Sequence, residues 1–221
     1  VLIALFYMTA PALATVITQK YFYKQSLKEY GLTLKDTVPK NILLAIAFYL
    51  AYVLLTMGII YVFGNGLEVD SMGQVTFSQD DILSKVEESM KGSGDTSEVK
   101  LPPPVVLFLA GLLGGVLAGF TFNLPFTLGE ELGWRGLLLR ETQPLGFWRS
   151  NLLIGTVWGV WHLPIILLGH NYPGQPIAGS LMMILFCISF SFLHAIVRLK
   201  VRTVYAPAAF HGMINAGGPL T

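Results

Sequence analysis

The segment Thr127-Leu-Gly-Glu130-Glu131-Leu-Gly-Trp134-Arg135-Gly136 sets two carboxylates and a guanidinium between apolar flanks. On a helix, Glu131 and Arg135 share a face at i,i+4, and Glu130 is turned about 100° away from Glu131. The two acids can therefore do different jobs. A buried Glu131–Arg135 ion pair that only locks the helix accounts for those two residues as well as a chemical role does, but it leaves Glu130 unexplained. A second place is Trp158-Gly-Val-Trp161-His162-Leu-Pro164, where an imidazole follows an aromatic residue by one turn and precedes a proline. Alone, such a histidine is more often a hydrogen-bonded packing residue. A third is Phe210-His211-Gly-Met-Ile-Asn215, with imidazole and carboxamide at i,i+4 on one face. Singly, that pair is interhelical glue. Together, a carboxylate, two imidazoles and an amide, each in an apolar helix, have the composition of a catalytic centre.

Those residues must be positioned by membrane helices. Of the 221 residues, 53% are hydrophobic and 12% charged, whereas a soluble domain carries about 25% charged residues. The apolar residues also run in long blocks, as a bilayer requires when about 20 of them must cross about 30 Å of hydrocarbon. Charged groups at that depth cost roughly 2.5–3.5 kcal/mol each on insertion scales, so a functional reading is their default. The net charge of +1 and the lack of a basic arm interleaved with aromatics give no reason to expect nucleic acid. Cys187, the single cysteine, sits in an apolar run and forms no disulfide framework or cysteine metal site within the chain.

The pattern predicts an all-α, multi-pass transmembrane bundle of about seven membrane helices or half-helices in one domain, residues 1–221. The N-terminal helices and an acidic loop fill 1–100, and a catalytic helical core fills 101–218. Expected spans are Val1 to Thr18, a partial membrane helix rather than a signal peptide; Asn41 to Gly64; Pro104 to about Phe122; Asn151 to Leu168, bent at Pro164; Ile177 to Val197; and a last helix from Tyr205 to Asn215. Both chain ends are expected to be trimmed. Gly111, Gly114, Gly115 and Gly119 suit close helix packing in lipid. The polar stretch from Asn65 to Lys100 is a loop outside the hydrocarbon, with a short helix near Asp80 to Met90. No internal repeat is visible.

The positive-inside rule places Lys20 to Lys40, Arg140 to Arg149 and Arg198 to Arg202 in the cytoplasm and the acidic loop outside. The short amphipathic helix from Thr127 to Arg140 then starts and ends near the cytoplasmic side. It must be re-entrant or covered by protein.

Glu130-Glu131-x-x-x-Arg135, Trp158-x-x-x-His162 and His211-x-x-x-Asn215, in that order on separate membrane helices, resemble the CAAX protease and bacteriocin-processing (ABI) family, which includes the type II CAAX prenyl endopeptidases. The resemblance covers about Leu101 to Gly218 and departs from the pattern at Trp158, where the family usually has Phe. It implies an intramembrane endopeptidase that removes the C-terminal tripeptide of prenylated CAAX-type proteins or cuts a related membrane peptide. Its partners would be a prenylated C-terminal peptide and the lipid bilayer, and its site would face the cytoplasm. By the same resemblance, Glu130 and His162 hold and deprotonate a water while His211 and Asn215 donate to the oxyanion. The residue types suit those roles: a carboxylate and an imidazole for general acid–base work, and paired donors worth about 2.7–4 kcal/mol each at an oxyanion. Glu131, Arg135 and Trp158 support the site, and His170 and His194 are expected to be dispensable. No cofactor is expected. A zinc peptidase is the alternative within the enzymes, since one carboxylate and two histidines can bind metal and leave a position for water, although a His-Glu-x-x-His signature is absent. Outside the enzymes, the alternative is a transporter or immunity protein whose buried Glu, Arg and His line an ion path.

Overall fold

A computed structural model of the chain describes residues 2–34, 39–69, 72–90 and 100–217. Val1, part of the basic stretch, the Lys91 to Asp95 run and Gly218 lie outside them. Among the described residues all regular structure is helical. Three helices are long and apolar enough to cross a membrane: Asn41–Gly66, Gln143–Leu167 and Pro176–Val201. A fourth crossing exists if Pro104–Phe120 and Leu124–Glu141, bent by 59° at their junction, form one broken span. Together with the apolar blocks, these mark an integral membrane protein; the other elements are shorter than a full span.

Helix α1 (Leu2–Ile17) continues as a π-helical turn to Tyr23. α2 is Pro39–Ile60, extended by a π turn to Gly66. α3, Gln79–Met90, lies close to the predicted short helix. α4, Pro104–Phe120, starts after the proline run with a proline in its first turn, where the missing N–H costs nothing. α5 (Leu124–Glu131), a π-helical stretch from Leu132 to Leu138, and α6 (Leu139–Glu141) make one continuous rod. This rod is not amphipathic as expected. Gly129 to Gly136 is buried without interruption, so protein covers it, one of the two options the crossing count left open.

α7 (Gly146–Trp161) breaks at His162, and α8 (Leu163–Leu167) follows with Pro164 in its first turn. The interruption falls at the histidine, two residues before Pro164, whose missing N–H leaves the helical ladder one bond short, and Gln143–Leu167 still counts as one span. α9 is Pro176–Val201 and α10 is Tyr205–Gly217.

Two glycine pairs set the packing. A Cβ on Gly159 would lie 2.6 Å from the Ile184 Cα, and one on Gly155 would collide with the Ile188 backbone, so α7 and α9 touch backbone to backbone. A Cβ on Gly129 would lie 2.7 Å from the Met8 carbonyl oxygen, and Gly133 faces Pro11, which seats α1 on the rod that carries Glu130. Of the four glycines expected to pack α4, Gly115 and Gly119 do so, against Tyr49 and α10, whereas Gly114 faces open space. α10 lies in the middle, against α2, α4, α5 and α9, and is buried from Ala206 to Ile214.

The Lys/Arg-rich stretches meet at one end of the bundle. The Arg140 guanidinium lies 4.5 Å from the Tyr30 ring centroid, the Val204 N–H donates to the Gly31 carbonyl at 2.9 Å, and the Thr203 hydroxyl donates to the Thr33 carbonyl at 2.8 Å.

Candidate active site

Glu130 and Glu131 leave the rod in different directions, as helical geometry requires, and each finds its own partners. Glu130 is 2% exposed. Its Oε2 accepts from the indole N–H of Trp158 at 2.8 Å and from that of Trp134, one turn along the rod, at 3.3 Å. Glu131 is fully buried; its Oε1 accepts from Arg135 Nη1 at 2.9 Å and lies 3.0 Å from His211 Nδ1. The pairing with Arg135 at i,i+4 is the one anticipated. The pairing with His211 ties the rod to α10 and gives Glu131 a task beyond locking its own helix. The π-helical stretch begins at the very next residue, a form that recurs at functional sites.

His162, at the helix break, has Nδ1 2.8 Å from the Trp158 carbonyl. A carbonyl only accepts, so Nδ1 carries the proton and Nε2 presents a lone pair. His211 is 6% exposed, and its Nδ1 faces a carboxylate, which orients the ring with Nε2 directed away from Glu131.

Trp158 joins these pieces. Besides its bond to Glu130, its ring centroid lies 4.4 Å from the Arg135 guanidinium carbon, 6.0 Å from the ring of His162 and 5.3 Å from that of His211. Glu130, His162 and His211, predicted from three separate motifs, therefore border one indole. Asn215 stands apart: it is exposed, one turn beyond His211 on α10. His170 is exposed in the link between α8 and α9.

His194 lies in none of the three motifs and is expected to be dispensable. It is fully buried, with its ring 5.6 Å from those of Trp158 and His211. Its Nδ1 lies 2.8 Å from the Phe190 carbonyl, and its Nε2 has no partner. The metal-ligating cluster found among the described residues is accordingly Glu131, His194 and His211, with candidate ligand atoms within 4.8 Å of one another. It differs from any set the three motifs would supply, and Arg135 already holds one of its carboxylate oxygens. Like His162, His194 is a titratable group inside an apolar helix. Trp134 was legible, one turn after Glu130.

The N-terminal half carries no motif, yet α1 reaches the site. Tyr7 stacks on Trp161 with ring centroids 4.8 Å apart, and Trp161 in turn meets Trp134 edge-on at 6.2 Å. No local signal marks Tyr7, because its position follows from the Gly129 and Gly133 contacts.

The sequence model of a family described as type II CAAX prenyl endopeptidase Rce1-like matches residues 100–217. The CAAX prenyl protease 2 of Methanococcus maripaludis is 29% identical over 90 residues, covering 31% of this chain and 33% of that protein. The chain thus spans about a third of the length of the curated relative it matches. No solved structure matches it.

Proposed function

Since the chain belongs to the type II CAAX prenyl endopeptidase Rce1-like family, we propose that it is an intramembrane endopeptidase that cleaves a prenylated C-terminal peptide or a related lipid-anchored one. The arrangement of Glu130, His162 and His211 around Trp158 carries this reading. Glu130, with two indole N–H groups on one oxygen, is a carboxylate held in orientation by neutral donors in a dry setting. It takes a proton from water. His162, its Nδ1–H bound to the backbone, offers Nε2 to the same water. The hydroxide attacks the scissile carbonyl, and the oxyanion is met by a ring N–H of His211, whose Nδ1 faces Glu131. Asn215, one turn beyond His211 on α10, supplies a second and weaker donor. Collapse of the tetrahedral intermediate passes the proton to the leaving amine.

A lipid-modified peptide suits this place, because the isoprenoid stays in the bilayer while the peptide reaches the site from water. The basic end of the bundle faces the cytoplasm by the positive-inside rule.

The test is cleavage of a farnesylated CAAX peptide by the purified protein and by Glu130→Gln, which keeps shape and acceptor but not basicity. Turnover by the first and none by a folded second supports the reading. Cleavage by neither points to transport or immunity. The Glu131, His194 and His211 cluster favours one other reading, a zinc peptidase. Inhibition by a chelator that zinc reverses would replace the water mechanism with that one.

A further inference from the structure

At the basic end of the bundle, behind Arg135, lies a cavity of about 450 Å³ that none of the proposed catalytic residues lines. Three arginines face it, Arg135, Arg140 and Arg198, against one carboxylate, Glu29. Glu29 is spoken for by Arg140, at 3.5 Å in a half-exposed pair. Arg198 has no carboxylate within ion-pair distance among the described residues, and its buried Nε has no hydrogen-bond partner. Arg135 is 1% exposed; Glu131 takes its Nη1, while Nε and Nη2 have none. A buried guanidinium without a counter-ion is costly, and one with idle N–H groups more so.

The cavity is built, not incidental. The Arg198 guanidinium lies flat against Gly31, where φ is +88° and a Cβ would come 2.9 Å from Nε. The first turn of α7 enters the lining at Gly146 and Phe147, and no side chain caps that helix. The positive end of the helix therefore adds to the field of the arginines. Nearby stand Trp148, 74% exposed, and the exposed Leu145 and Leu199. A tryptophan flanked by leucines and arginines at a span end marks the bilayer–water boundary.

We propose that this cavity seats the phosphate of an anionic phospholipid. Guanidinium groups match phosphate geometry, and basic pockets between membrane helices on the positive side take phosphate headgroups. The position at the bilayer edge favours a lipid over a soluble ion. Since Arg135 spans the wall between this cavity and Glu131, the occupant's charge reaches the partner of His211.

The experiment is native mass spectrometry of the whole chain released from bilayers of mixed phosphatidylglycerol and phosphatidylcholine. The wild type should retain phosphatidylglycerol selectively, Arg198→Gln should lower its occupancy roughly tenfold, the loss of one charge-assisted contact, and the exposed Lys200→Gln should not. If Arg198→Gln fails to fold, Gln143→Trp, which fills the exposed mouth, should produce the same loss. No preference in the wild type, or retention in both cavity variants, overturns the proposal. Stabilisation by inorganic phosphate in detergent equal to that by the lipid would make this a seat for a soluble anion and overturn the lipid assignment. Displacement of the lipid by an apolar peptide with a free C-terminus, but not by its amide, would make it a substrate subsite and overturn the assignment too.

Discussion

The helix through α2 and the helix through α7 both suffice to cross a bilayer, and they use their lengths in opposite ways. The stretch Asn41–Gly66 is the more apolar, yet only 17% of its membrane window is buried, against 39% for Gln143–Leu167. α2 offers the protein a narrow stripe, Ala45, Tyr49 and Val53, at successive i,i+4 positions, and turns Leu43, Leu50, Leu54 and Leu55 outward. α7 buries Ile154, Gly155, Trp158 and Gly159, and His162 follows at its end. In water the more apolar helix would go inside. In lipid, leucine needs no shelter, and the interior collects what the hydrocarbon rejects: carboxylates, imidazoles, indole N–H groups and guanidinium groups.

That contrast can be broken by mutation, and the steepest test lies inside. Glu130→Gln should lower kcat by on the order of 10²–10⁴-fold, the usual worth of a general base, with the melting temperature kept; a mutant that cleaves the peptide at a tenth of the normal rate would remove Glu130 from that role. His211→Ala should cost about 10²–10³-fold in kcat, as for one oxyanion donor. A purely KM effect would assign it to binding instead. Trp158→Phe keeps the ring and the Arg135 contact and removes the shorter hydrogen bond to Glu130. A bond to a charged group is worth about 1.5–3 kcal/mol, so kcat should fall at least roughly tenfold, with KM unchanged. His194→Ala should lower the melting temperature and kcat measurably, whereas His170→Ala should leave both alone; equal behaviour of the two would restore the view that neither histidine belongs to the site. On the lipid face, Leu54→Ala should change stability by no more than about 0.5 kcal/mol in a detergent melt. A larger loss would mean that α2 is covered by something else.

The helical class and the main spans were legible because both come from local runs of apolar residues. So were Glu130, Glu131, Arg135, His162 and His211, since titratable groups in apolar helices are visible one segment at a time. A bend was expected at Pro164, and the helix is interrupted two residues earlier, at His162, within the reach of a local rule. The helix expected from Thr127 to Arg140 was taken as amphipathic because sequence shows its polar residues and not the helices that wrap it. That His194 lies beside Glu131 and His211 was not legible, because nothing around it in the chain points to either. Tyr7 was invisible, since its approach depends on Gly129 and Gly133 receiving the backbone of a helix more than 110 residues earlier.

By itself, the sequence determined which side chains must be withdrawn from lipid, because the cost of a charge in hydrocarbon belongs to the residue wherever it finally lies. Tertiary structure alone decided which of them meet. Glu130 finds Trp158 and Trp134, Glu131 finds His211, and Arg135 lines a cavity it shares with Arg140 and Arg198. Hydrogen bonds act over about 3 Å, and which groups come that close follows from how the glycine-lined helices pack.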